Sequence, residues 1–339
     1  MTDGCPCSAF DPVPPASSTR CSNSIQKRID ALGLDLHGLH VVTEAATGDY
    51  ACTAVVAALA GARVTAVARD TRRHGTARDA ALQTLGLARL AGVREKIDVV
   101  DAITEAHLAD CDILTNSGHL RPITAGMIAA LPERAVIGLM FEGWEFRGED
   151  LDLAAARERG IRIAAVNERH RDVAVFPFLG PLCLRLLQDA GFHAPGSHVA
   201  VVCDNPFAPF LRDGLAMAAA GVELAPSIAA LRPNGWDAVV ISLNPAENPL
   251  LGAGDFAALR AAAPRAIVAQ FWGDIDRAAA AAAGVRVVPA QAPMPGHMGI
   301  LLNALGHEPI VRLQTGGLRA AELIFRGAAS SSEGVAHLI

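Results

Sequence analysis

Residues Asp112 to Glu168 read DILTNSGHLRPITAGMIAALPERAVIGLMFEGWEFRGEDLDLAAARERGIRIAAVNE, and this stretch decides the fold. Three apolar runs, Asp112 to Leu114, Ala135 to Met140 and Ile161 to Val166, have the length of buried strands. The segments between them, ITAGMIAAL and DLDLAAARERG, carry helical spacing. Strands alternating with helices predict a parallel sheet covered on both faces. Ligands of such sheets gather beyond the carboxyl ends of the strands, where helix N-termini and free N–H groups converge. The polar residues of this stretch sit at those ends. Asn116, Ser117 and His119 follow the first strand, and Glu142, Trp144, Glu145 and Arg147 the second. Asn167, Glu168 and His170 follow the third.

Working outward, QKRIDALGLDL predicts a lead-in helix, followed by a strand at HVVTEA, a helix at TGDYACTAVVAALAGA and a strand at RVTAVARD. A further helix and the strand KIDVVD complete one α/β unit. After the apolar helix VAVFPFLGPLCLRLLQDAG and a Pro/Gly/Ser break, a second unit alternates again, from VAVVCD to VRVVPA. The reading is two doubly wound parallel-sheet α/β domains with crossover helices. Its divisions are a mobile tail over 1–24, an N-terminal α/β domain over 25–172 and a crossover helix over 173–192. A second domain covers 193–312, and a C-terminal crossover helix and tail cover 313–339.

The chain has 339 residues, 51% hydrophobic and 19% charged, with a net charge of −6. That balance excludes a disordered chain and gives no electrostatic reason for nucleic acid or an anionic membrane as partner. No apolar run approaches the ~20 residues of a membrane helix. No basic-then-apolar leader opens the sequence, so a cytoplasmic protein is expected. Of the seven cysteines, Cys52, Cys111, Cys183 and Cys203 lie in apolar contexts. Cys5, Cys7 and Cys21 lie in a Pro/Ser-rich opening with no nearby His or fourth thiol. No metal is expected.

This layout resembles the D-isomer-specific 2-hydroxyacid dehydrogenases, the formate/glycerate dehydrogenase-like group. The local likeness is carried by RPITAGMIAALPERAVIGLMFEGWEFRGEDLDLAAARERGIRIAAVNE. The resemblance implies a flavodoxin-like substrate domain first and a Rossmann cofactor domain second. It also implies a nicotinamide cofactor, NAD or NADP, a small carboxylate substrate and a homodimer. Where the family carries Gly-x-Gly-x-x-Gly, this chain reads VAVVCDNPFAPFL, with Asp204, Asn205 and Pro206 at the turn. A carboxylate there repels phosphate, so a cofactor on the second domain would be bound atypically.

Candidate residues follow. His297, held between Pro295 and Gly299, matches the family's Pro-His turn and would be the acid/base. Arg147 would grip a substrate carboxylate or pair with Glu145 or Glu168, and Glu168 with His170 could move a proton. Asn116, Ser117, His119, Glu142, Trp144 and Asn205 are expected to hold substrate. Thr47 and Gly48 at a helix N-terminus, with Asp70 and Arg72 after the second strand, are expected to hold a nucleotide or phosphate. Gly316 and Gly317 are expected in a turn before the last helix. The functional expectation is an oxidoreductase-like enzyme acting on a small anionic metabolite. Its alternatives are a non-redox lyase, isomerase or transferase, or a metabolite-binding protein, on a scaffold that has lost NAD binding.

Overall fold

The computed structural model describes residues 16–72, 74–219, 221–328 and 334–339. Twelve strands run along these residues: β1 His40–Glu44, β2 Arg63–Val67, β3 Ile97–Val100, β4 Ile113–Thr115, β5 Val136–Gly138, β6 Arg162–Val166, β7 His198–Cys203, β8 Gly221–Ala225, β9 Ala238–Ser242, β10 Ile267–Trp272, β11 Val287–Val288 and β12 Ala336–Leu338. They form two sheets, ordered β12-β6-β5-β4-β1-β2-β3 and β11-β10-β9-β7-β8. All pairings are parallel except β12 on β6, where Ala336 faces Val166. Because parallel neighbours need a covered crossover, helices lie on both faces of each sheet and the central strands are apolar throughout. β7 and β9 illustrate this, with Val199 to Val202 and Ala238 to Ile241 all buried. β12 covers the β6 edge that would otherwise expose unpaired backbone.

The strand orders reverse one implication of the resemblance. The first sheet has the 3-2-1-4-5-6 order of dinucleotide-binding folds, extended by β12, whereas the second has the 2-1-3-4-5 order of flavodoxin-like folds. Local pattern cannot distinguish the two orders, because each is built from the same strand–helix unit; only the pairing partners differ.

Several boundaries also move. The helix Ala16–Leu32 begins inside the segment read as a mobile tail, and its Cys21, Ile25 and Ile29 are buried in the first domain's core. Cys5 and Cys7 lie outside the described residues. The helix expected from Val173 is confined to Leu179–Asp189, because Ala174 takes a left-handed φ of 47° and Pro177 opens a short 3₁₀ turn. This helix packs on the helix Ala208–Ala216 so closely that a Cβ on Gly180 would lie 2.4 Å from the Gly214 Cα. The crossover helix therefore belongs to the second domain. The last helix runs His307–Phe325 and returns to the first domain. Gly316 and Gly317 lie inside it, not in a preceding turn. They let it approach β5 and β6: a Cβ on Gly316 would meet Val173 at 2.9 Å, and one on Gly317 would meet the Met140 sulfur at 2.7 Å.

The Gly180–Gly214 crossing yields a stability test. Gly180→Ala places a methyl against backbone that has no side-chain freedom to yield, and should cost about 2 kcal/mol in urea unfolding. An unchanged midpoint would mean that the two helices part without penalty.

Candidate functional site

The two halves meet through Trp144, which follows β5 in the 3₁₀ turn Gly143–Glu145. Its ring packs edge-on against Phe207 at 5.2 Å and Trp272 at 5.6 Å, both from the second domain. Its Nε1 donates to Glu142 Oε2 at 3.0 Å. Trp272 in turn donates from Nε1 to the Gly296 carbonyl at 3.1 Å, and Asp274 accepts the Gly296 N–H at 2.9 Å. These bonds fix the turn that presents His297.

Below that turn a chain of polar contacts crosses the gap. Arg147 Nη1 lies 3.0 Å from His297 Nε2. The same Nη1 lies 3.2 Å from His297 Nδ1, so the guanidinium sits against the ring rather than on one nitrogen, while Nδ1 is 2.9 Å from the Pro295 carbonyl, which can only accept. Burial lowers the His297 pKa, and the nearby Arg147 and Arg121 guanidinium groups lower it further, so the ring is held neutral. Arg147 pairs with Asp150 rather than with Glu145 or Glu168, through Nε at 3.0 Å and Nη2 at 2.7 Å. Arg121 approaches the same carboxylate at 3.6 Å. It donates to the Asn116 carbonyl at 2.8 Å and to Asn116 Oδ1 at 3.1 Å. Asn116 is fully buried, and its Nδ2 has no partner among the described residues.

Three carboxyls sit beside this chain with different fates. Glu142 is fully buried and accepts four donors: the Glu168 N–H, two Arg169 nitrogens and the Trp144 indole. The two from Arg169 are charge-assisted. Glu145 has a buried Oε1 with no donor among the described residues. Burial, with Glu142 next to it, pushes its pKa up to about 8. Glu168 is buried too, and burial followed by repulsion from Glu145 and Glu142 raises its pKa strongly. Burial therefore shifts both carboxyls toward the protonated form.

The remaining predicted residues lie at the strand tips but are engaged locally. Ser117 joins a buried hydroxyl cluster with Thr43 and Thr115, and His119 is buried with its N–H on Glu44 Oε2 at 3.0 Å. Asn205 clamps β7 to β9 by donating to the Ser242 carbonyl at 2.7 Å while accepting the Phe207 N–H at 3.1 Å. Thr47 donates to the His74 carbonyl, and the Gly48 N–H to Gln83 Oε1 at 2.7 Å. Asp70 accepts the Ala77 N–H at 2.7 Å, and Arg72 is exposed.

These facts test whether a dinucleotide fits. A pyrophosphate needs free N–H groups where the strand order reverses. In the first sheet that point lies between β1 and β4, and the Glu44 carboxylate already takes the His119 N–H there, while the Gly48 N–H is spent on Gln83. In the second sheet it lies between β7 and β9, where Asp204 takes the Asn244 N–H at 3.1 Å and an Asn248 amide. Neither point fits a pyrophosphate. Among the described residues no group of three or more His, Cys, Asp or Glu side chains is placed to hold a metal ion. No helix of the described residues is long and apolar enough to cross a membrane. A cavity of about 380 Å³ lies beside the 146–153 loop. Its charged liners are Glu149 and Asp152, and Asp152 is spent on the Ala155 N–H.

Sequence reading missed Arg121 and the pairing of Arg147 with Asp150. Arg121 carried one signal: an arginine directly after a strand-end turn and before a proline.

The fold is a doubly wound protein of two parallel sheets, with polar contacts where their strand tips meet. It is similar to the dipicolinate synthase of Bacillus subtilis, with a TM-score of 0.53 and 13% identity over 87% of this chain and 99% of that one. It is also similar to the dipicolinate synthase of Bacillus halodurans (0.49, 15%, covering 88% and 100%). A third likeness is to the NAD-dependent formate dehydrogenase from Staphylococcus aureus in complex with NAD (0.46, 12%, covering 87% and 98%). At these identities the likeness is one of fold. No family model matches the chain, and no curated protein matches it.

The buried carboxyl yields a pH test. A carboxyl whose pKa rises on folding stabilises the fold fully below its ordinary value of 4.5, and that contribution is lost as pH climbs to about 8. The melting temperature should therefore fall between pH 5 and 8, and Glu145→Gln should flatten the slope by raising stability at pH 8. A variant that melts with the wild-type slope would place the titration elsewhere.

Proposed function

We propose that this chain is an enzyme acting by acid–base chemistry on a small carboxylate metabolite held between its two domains. The observation that carries the reading is the Arg147–His297 contact, with Arg147 Nη1 3.0 Å from Nε2 and 3.2 Å from Nδ1 of an imidazole whose pKa burial lowers. A substrate carboxylate competes for the Arg147 and Arg121 guanidinium groups, whose planar forks match it. Arg147 then releases Nε2, which becomes free to take a proton from the substrate. Glu145, its pKa pushed up to about 8, supplies a hydrogen-bond donor to an oxygen on which charge develops. The chemistry is that of a lyase, isomerase or transferase, because the residues at both reversal points do not accept a pyrophosphate.

A second reading keeps the dehydrogenase chemistry with NAD or NADP bound atypically. The 3-2-1-4-5-6 order of the first sheet, with Asp70 beyond β2 where an acid holds a ribose, favours it. Homodimerisation belongs to either reading by resemblance, and sedimentation checks it.

Two measurements separate the readings. Titration with NADH and with NADPH should leave the fluorescence of Trp144 and Trp272 unchanged; saturable energy transfer would replace the first reading by the second. Once turnover is found, His297→Ala should abolish it. The acid limb of kcat/KM should lie below about 6.5, the ordinary histidine value. An acid limb at or above that value would remove His297 as the base.

A further inference from the structure

The donors of the two cleft arginines are spent differently. Arg147 is fully engaged: Nε and Nη2 both donate to Asp150 Oδ2, and Nη1 lies against the His297 ring. Arg121 is engaged along one edge only. Its Nε donates to the carbonyl and to Oδ1 of Asn116, each at 3.1 Å, and its Nη2 donates to the same carbonyl at 2.8 Å. Its Nη1 makes no hydrogen bond among the described residues, and the Asp150 carboxylate stands off at 3.6 Å. The guanidinium plane is held by Phe141, whose ring centroid lies 5.4 Å from Cζ. One quarter of the Arg121 side chain is exposed, at 25%, so a solute can reach it. Asn116 follows β4, and its N–H is fixed on the Gly138 carbonyl at 2.7 Å. Its side chain is wholly buried. The amide cannot flip, because turning Nδ2 toward Arg121 would set donor against donor. Nδ2 is therefore left without a partner among the described residues. An enclosed donor with no acceptor costs stability until an acceptor arrives.

The two unspent donors thus belong to residues bonded to each other. We propose that Arg121 and Asn116 form the seat of the ligand, Arg121 Nη1 pairing with its carboxylate and Asn116 Nδ2 donating to an oxygen of the same molecule. Asn116 acts twice: its two oxygens aim the guanidinium, and its amide selects for an oxygen in the ligand. This rests on the carboxylate-binding reading above and assigns its specificity to the tip of β4. Arg121 engages the carboxylate first, and the contest for Arg147 follows. An oxygen-bearing anion satisfies both free donors, whereas an amine satisfies neither.

Calorimetry on the full chain tests the seat with glycolate, lactate, malate and 2-oxoglutarate, and with glycolamide and lactamide as uncharged controls. The acid that binds best should lose about tenfold in affinity in Asn116→Asp, which keeps an acceptor for Arg121 and turns the free donor into a repelling oxygen. Arg121→Lys should weaken the same acid by at least as much, and Arg147→Lys by less. In the wild-type chain the side-chain amide resonances of Asn116 should shift on saturation with that acid. That readout needs no variant to fold, and a purely structural asparagine would not give it. Full affinity in Asn116→Asp, or amide resonances that stay in place while the acid binds, would overturn the seat. If Arg147→Lys then weakens the acid, the cleft reading stands without it. Failure of every acid to bind, or binding of the amides as tightly as the acids, would overturn both.

Discussion

The seating of Trp144 among the aromatic rings of the second domain is the contact on which the rest of the molecule depends. Aromatic side chains are scarce here, at 4% of the chain, and several collect at this junction. Edge-on pairs of this kind contribute about 0.5–1.5 kcal/mol each beyond the area they bury. The same indole is tied to Glu142, and Glu142 is tied to the backbone of Glu168, so one ring fixes the tips of β5 and β6 against the opposite half. From the far side Trp272 holds the turn that carries His297. Without this junction the gap would have neither a set width nor a set pairing across it.

Within the gap, position along the strand tips decides charge. Glu142, Glu145 and Glu168 are chemically identical and close neighbours, but only Glu142 is surrounded by donors. Burial with no comparable set of donors pushes the other two toward the protonated form, Glu145 up to about 8.

Much of this was legible in the sequence. The buried runs from Ile113 to Leu114 and from Ile163 to Val166 announced parallel strands, and the polar residues placed just after them do lie at strand tips. The order of the strands was not legible, because nothing in HVVTE or VAVVCD records which neighbour it pairs with; that depends on long-range packing. Helix limits failed where backbone geometry overrode apolar spacing, as at Ala174. In the site, Arg147 and His297 carried signals of their own, a charged residue after a strand and a histidine between prolines and glycine. Asp150 as the partner of Arg147 carried none, since three other acids stood equally near in the sequence.

The Arg147–His297 contact has a mechanical consequence. Burial and the neighbouring guanidinium are what weaken this imidazole's hold on a proton, and both disappear if the halves swing apart. By linkage, whatever separates the domains must strengthen proton uptake, and acid must in turn favour separation. Width of the gap and charge on the ring are one variable seen from two sides, so a guest that draws the halves together also keeps the imidazole unprotonated.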